Sequence, residues 1–189
     1  MKVGRRKKLL CTYLLISFLT ATIFEIFIIG NIHQYYLNSV SGTLKNKAEL
    51  ASRFYNNFLD FGDIYSNSKH IINLFAERSF QMQITDKKGN VIADSLGIKE
   101  INNLDYEDVK IALTGKNSEF KGRHADSGEK IYAYTVPLTS NGMIVGTMRF
   151  TTSLEQTYQV IYKLTLRLLA FGLILVVTVF LFSVLKTSD

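Results

Sequence analysis

The chain has 189 residues, 47% of them hydrophobic, and a formal net charge of +6 at pH 7. That length suits one domain with accessories, and the apolar residues crowd towards the two ends. A single cysteine, Cys11, excludes a disulfide-held domain and leaves the middle of the chain without thiol chemistry.

Residues 1–8 form a basic tail with Lys2, Arg5, Arg6, Lys7 and Lys8. Leu9 to Gly30 follows, an apolar run whose only charge is Glu25. The run is too long for a cleaved leader and lacks a small-x-small site near its end, so it reads as an uncleaved membrane anchor. Five cations ahead of it place the N-terminus in the cytoplasm. Residues 31–163 then fold outside the membrane, and residues 164–185 return through it to a cytoplasmic stub, 186–189. The outer segment carries 15 Lys/Arg against 14 Asp/Glu, so the basic excess belongs mainly to the tail. It is an orientation signal, and it gives no nucleic-acid face.

Past the first span, Ile32, Tyr36, Val40, Leu44, Ala48, Ala51, Tyr55 and Phe58 recur every three or four residues and predict an amphipathic helix ending near Phe61-Gly62-Asp63. A second apolar set, Tyr35, Leu50, Phe54 and Phe61, widens the stripe and serves either the core or a second copy. Ser66 to Ser79 reads as a short helix with Ile71, Ile72, Leu74 and Phe75 inward. Phe80–Thr85 and Val91–Ser95 alternate around Asp86-Lys87-Lys88-Gly89-Asn90, a β-hairpin. Asp105 to Leu113 is a helix opened by Asp105, Glu107 and Asp108 and closed by Gly115. Ser118–His124 and Lys130–Leu138 are strands, with Pro137 marking an exit. Met143–Phe150 is the last strand, and Ser153 with Gln156 fits a capping box that starts the final helix. The sum is an α+β layer fold: five antiparallel strands with a long N-terminal helix, flanked by two transmembrane helices.

Gln83-Ile84-Thr85-Asp86-Lys87-Lys88-Gly89-Asn90-Val91-Ile92-Ala93-Asp94-Ser95 resembles the first hairpin of extracytoplasmic PAS-like, single-Cache sensor domains. Ala112-Leu113-Thr114-Gly115, the run Gly128 to Leu138, the run Gly142 to Arg149 and Tyr35-Tyr36 look like the rest of that module. In Gram-positive bacterial membrane sensor histidine kinases this module sits between two spans and feeds a HAMP linker and a kinase core. The resemblance implies the sensing part of a two-component sensor histidine kinase, a homodimer in the cell membrane that binds an extracellular small molecule or ion and shifts its second span. A cognate response regulator is implied only where a kinase core follows. The 189 residues hold no phospho-accepting His segment and no ATP-binding boxes, so kinase activity would belong to a longer chain. The alternatives are the same module feeding a chemoreceptor or a cyclic-dinucleotide enzyme, and a complete small membrane protein that binds a partner receptor.

A PAS-like sheet holds ligands between its concave face and the covering helices. Arg78, Arg123, His124, Tyr132, Tyr134 and Arg149 border that cavity, a cationic set suited to a carboxylate or other anion; the competing reading makes the tyrosines core and the charges solvated. Glu25 and Arg167 fall at similar depth in the outer leaflet, where they pair within or between protomers or else snorkel separately. His124 with Asp126 and Glu129 is a weak metal set, and the acids 105, 107 and 108 are explained by a helix N-terminus. No catalytic residue, cofactor or metal site is expected: there is no nucleophile–base arrangement, phosphate loop or zinc spacing.

Overall fold

The computed structural model describes residues 2–59, 63–97, 106–124 and 127–188, with side chains placed from 12 to 182. Its elements run α1 (Lys2–Phe58), α2 (Ile64–Phe75), β1 (Gln81–Asp86), β2 (Val91–Asp94), α3 (Glu107–Ala112), β3 (Ser118–Arg123), β4 (Lys130–Ser140), β5 (Met143–Ser153) and α4 (Glu155–Ser188). They form two compact units, one from Met1–Leu37 and Thr157–Asp189 and the other from Asn38–Gln156.

The second unit holds one five-stranded antiparallel sheet in the order β2-β1-β5-β4-β3. Turn chemistry fixes its hairpins. Gly89 takes φ 84° in the β1–β2 turn, and Asn141 and Gly142 take 49° and 74° in the two-residue β4–β5 turn. Positive φ at both positions suits a tight hairpin, and Asn-Gly is the pair that tolerates it. Gly115 at φ 92° closes α3 as expected.

One sheet face is apolar and buries Met82, Ile84, Met148, Phe150, Tyr132, Tyr134, Val136 and Leu138. The C-terminal part of α1 covers it with Leu44, Ala48, Ala51 and Tyr55, spaced four, three and four so that all lie on one helix side. Polar bonds fix the fit. Ser52 donates to the Pro137 carbonyl at 3.0 Å, and the Thr139 amide donates to Asn56 Oδ1 at 3.0 Å. The other sheet face is polar yet buried: Gln83, Thr85, Thr135, Thr147, Arg149 and Thr151. There α3 lies on β3, β4 and β5, burying Asp108, Val109 and Ala112.

Several expectations need correction. Pro137 does not end β4, which continues to Ser140. The β3 ladder stops opposite Thr135, so beyond it one edge of β4 has no neighbour, and a residue lacking N–H is tolerated. α2 ends at Phe75, and Leu74 is exposed while Ile71 is buried. β5 extends to Ser153, so a single residue, Leu154, separates it from α4. The Ser153 hydroxyl accepts the Glu155 amide at 3.1 Å and donates to Glu129, a tie back to the sheet rather than to Gln156. The expected helix break at Phe61-Gly62, and Asp105 and Asp126, lie outside the described residues.

α1 and α4 are two helices long and apolar enough to cross a membrane, within Thr12–Phe58 and Glu155–Phe182.

Candidate functional site

The polar sheet face has Arg149 at its centre. Along β5 it alternates with Thr147 and Thr151, and across the ladder it stands between Gln83 and Thr135. Its side chain is 1% exposed, and its Nε donates to Asp108 Oδ2 at 2.8 Å. Asp108 is brought there by the short helix α3, where it shares a helix side with Ala112, four residues on. Thr135 donates its hydroxyl to the same Oδ2.

An aromatic wall encloses this pair. The Arg149 guanidinium carbon lies 4.2 Å from the centre of the Tyr106 ring and 6.0 Å from that of Phe120. Tyr106 in turn contacts Phe120, with centroids 5.7 Å apart, and His124, at 6.3 Å. The opposite flank is hydrogen-bonded: Gln81 and Gln83 both donate to Asp94 Oδ2 at 2.8 Å, and the Thr85 and Thr147 hydroxyls meet at 2.6 Å.

Three polar atoms on this face have neither solvent nor a partner among the described residues: Asp108 Oδ1, Arg149 Nη2 and Thr151 Oγ1. Buried polar groups are nearly always hydrogen-bonded, because burying one without a bond forfeits its hydration. The face therefore carries one cationic donor, one anionic acceptor and one hydroxyl whose hydrogen-bonding capacity is unused among the described residues. Because the guanidinium and carboxylate balance, a group that brings only one charge would leave the other side uncompensated.

Of the six residues proposed from sequence, the structure brings Arg149 and His124 to this corner. Arg78 is exposed in the turn before Phe80, and Arg123 is exposed with its Nη1 donating to the Gly128 carbonyl at 2.8 Å. Tyr132 and Tyr134 are on the opposite, apolar face, where their hydroxyls donate to Glu119 at 2.8 Å and Glu49 at 3.2 Å. Burial and the adjoining Glu119 carboxylate raise the Tyr132 phenol well above its ordinary range, and burial raises that of Tyr134, helped by Glu49 and opposed by a bond from Asn117. Sequence reasoning missed Asp108. The available signal was an acid on the buried side of a helix whose other buried residues are Val109 and Ala112.

Among the described residues no group of three His, Cys, Asp or Glu side chains is placed to hold a metal ion. Glu25 lies against Gly172 of α4, and Arg167 is exposed.

No family model matches the chain, and the search of curated proteins gave no match. Solved structures do. The ligand-binding domain of the Campylobacter jejuni chemoreceptor Tlp3, in complex with L-valine, is similar at TM-score 0.62 and 11% identity over 77% of this chain and 65% of that one. An extracellular ligand binding receptor from Desulfohalobium retbaense is similar at TM-score 0.51 and 12% identity, over 66% and 24%. The V. cholerae histidine kinase DctB sensor domain gives TM-score 0.47 and 14% identity, over 67% and 55%. The chain spans less than two thirds of the length of each. The fold is that of Cache-like sensor domains.

Proposed function

We propose that the chain is the sensing and membrane-spanning region of a receptor, and that it binds a small zwitterion, an amino acid or a close analogue, at the Arg149–Asp108 corner. The observation that carries this reading is the unpaired Arg149 Nη2 beside the unpaired Asp108 Oδ1. A carboxylate suits the first and an ammonium the second, with Thr151 as an added partner and Tyr106 and Phe120 against the rest of the ligand. The Tlp3 domain binds L-valine on the same fold, which supports the ligand class.

The proposed topology puts both termini in the cytoplasm and the sheet outside, by the basic tail. The proposed assembly is a homodimer through the uncovered side of α1, where Tyr35, Leu50 and Phe58 are 71%, 61% and 68% exposed. The proposed route of the signal is β5 into α4, since Arg149 is on that strand and one residue joins strand to helix. A ligand that favours one position of β5 shifts the population of α4 positions by its differential affinity. The output is a histidine kinase core acting on a response regulator; the fold suits a chemoreceptor output equally.

Joining residues 1–189 to a HAMP-linked kinase core of known output tests this. Autophosphorylation is expected to change with at least one of the twenty amino acids. One residue inserted after Thr157, inside α4, is expected to alter its set point, because it turns the downstream helix by about 100°. A kinase indifferent to every amino acid and to the insertion would refute the reading.

A further inference from the structure

The membrane unit holds a contact that ligand binding does not use. The Glu25 carboxyl of α1 lies directly on the backbone of α4 at Gly172: a Cβ there would stand 1.6 Å from Oε1 and 2.7 Å from the carboxyl carbon. Gly172 is the one glycine in α4. Glu25 Oε1 is shut off from solvent and has no partner among the described residues. The cation on the facing helix, Arg167, is five residues away, about 7.5 Å of helix rise, and is exposed.

We propose that Glu25 and Gly172 form a registration lock between the two spans, which sets the resting height of α4. The carboxyl can lie on α4 only where no side chain stands. One helical turn away in either direction that position holds Leu168 or Val176, both half-buried. A slide of α4 by one turn, about 5.4 Å, would drive an aliphatic side chain into the carboxyl. The lock therefore favours one register, and any displacement of α4 that carries a signal has to lift Glu25 from its notch first. This goes beyond ligand recognition: it concerns the spans alone and stands whether or not the Arg149 site binds a zwitterion.

Disulfide trapping in native membranes tests the lock. In the full chain with Cys11→Ser, cysteines replace Phe18 and Val177, which line one groove between α1 and α4. The oxidation rate of that pair reports the register. Gly172→Leu is expected to slow it about ten-fold, and adding Glu25→Ala, which empties the space the new side chain needs, to restore it to within about two-fold. Arg167→Gln is expected to leave the rate unchanged. An unaffected rate in Gly172→Leu, or a slow rate that Glu25→Ala does not restore, would overturn the lock. A ten-fold loss in Arg167→Gln would overturn it in favour of a Glu25–Arg167 pair.

Discussion

Arg149 and Asp108 are joined by one hydrogen bond, Nε to Oδ2, although the geometry of the two groups permits two. Oδ2 is shared with the Thr135 hydroxyl, and Nη2 and Oδ1 are left buried without partners. The proposed zwitterion would close the pair from both sides, its carboxylate accepting from Nη2 and its ammonium donating to Oδ1.

The pair also carries a stability consequence. Removing one partner strands a charge in the interior, so Arg149→Met is expected to destabilise the chain by about 3–5 kcal/mol. Replacing both, Arg149→Met with Asp108→Leu, is expected to recover most of that loss, because apolar residues of similar volume substitute well for a buried ion pair. Urea melts in detergent, followed by circular dichroism at a strand wavelength, measure the cycle. Additive losses in the double variant would show that the two side chains do not act as a pair.

Backbone approach makes a second, separate expectation. Gly146 of β5 has no room for a side chain: a Cβ would stand 1.9 Å from the Thr85 carbonyl oxygen and 2.8 Å from Ile64 Cδ1. Gly146→Ala must move strand β1 and is expected to cost about 1–3 kcal/mol. Gly42, within α1, has nothing within 4 Å of the same added atom. Gly42→Ala is expected to stabilise by about 0.5–1 kcal/mol through helix propensity. Melting midpoints that move in the same direction in both variants would contradict the packing described.

The alkaline limb of stability should trace to the tyrosines of the apolar face. Tyr132 and Tyr134 are raised above the ordinary phenol value of 10.0, chiefly by burial. A group raised on folding contributes stability that is fully present below its unfolded value and lost as the pH climbs through the folded one. Stability is therefore expected to fall above pH 10, where the unfolded chain ionises first. The fall should be shallower in Tyr132→Phe. Matched slopes for the two proteins would remove Tyr132 from the account.

The strands, the Gly89 and Asn141-Gly142 turns and the two long apolar helices were legible because short-range chemistry fixes them. The site was legible only in part. Counting back from the Asn141-Gly142 turn, where Ser140 faces Met143, would set Tyr134 opposite Arg149 and on its face. A bulge between Leu138 and Thr139 moves the register by one residue, so Tyr134 faces Phe150 and Thr135 faces Arg149. A one-residue shift turns every side chain to the other face. That is why the tyrosines left the polar face. Asp108 was read as a helix-dipole acid because its partner is 41 residues away in sequence, and only the tertiary fold brings the charges together. Arg149 itself was legible only as one of six polar or amphipathic residues on elements bordering the sheet.

The most direct measurement is the melting temperature of the chain with three matched small molecules: L-valine, 3-methylbutanoate and isobutylamine. They share a branched apolar body and differ in carrying both charges, the carboxylate alone or the amine alone. The open Arg149–Asp108 pair predicts stabilisation by L-valine that is absent with either singly charged analogue and lost in Asp108→Asn. Equal stabilisation by 3-methylbutanoate, kept in Asp108→Asn, would make the site a plain anion receptor and contradict the zwitterion account.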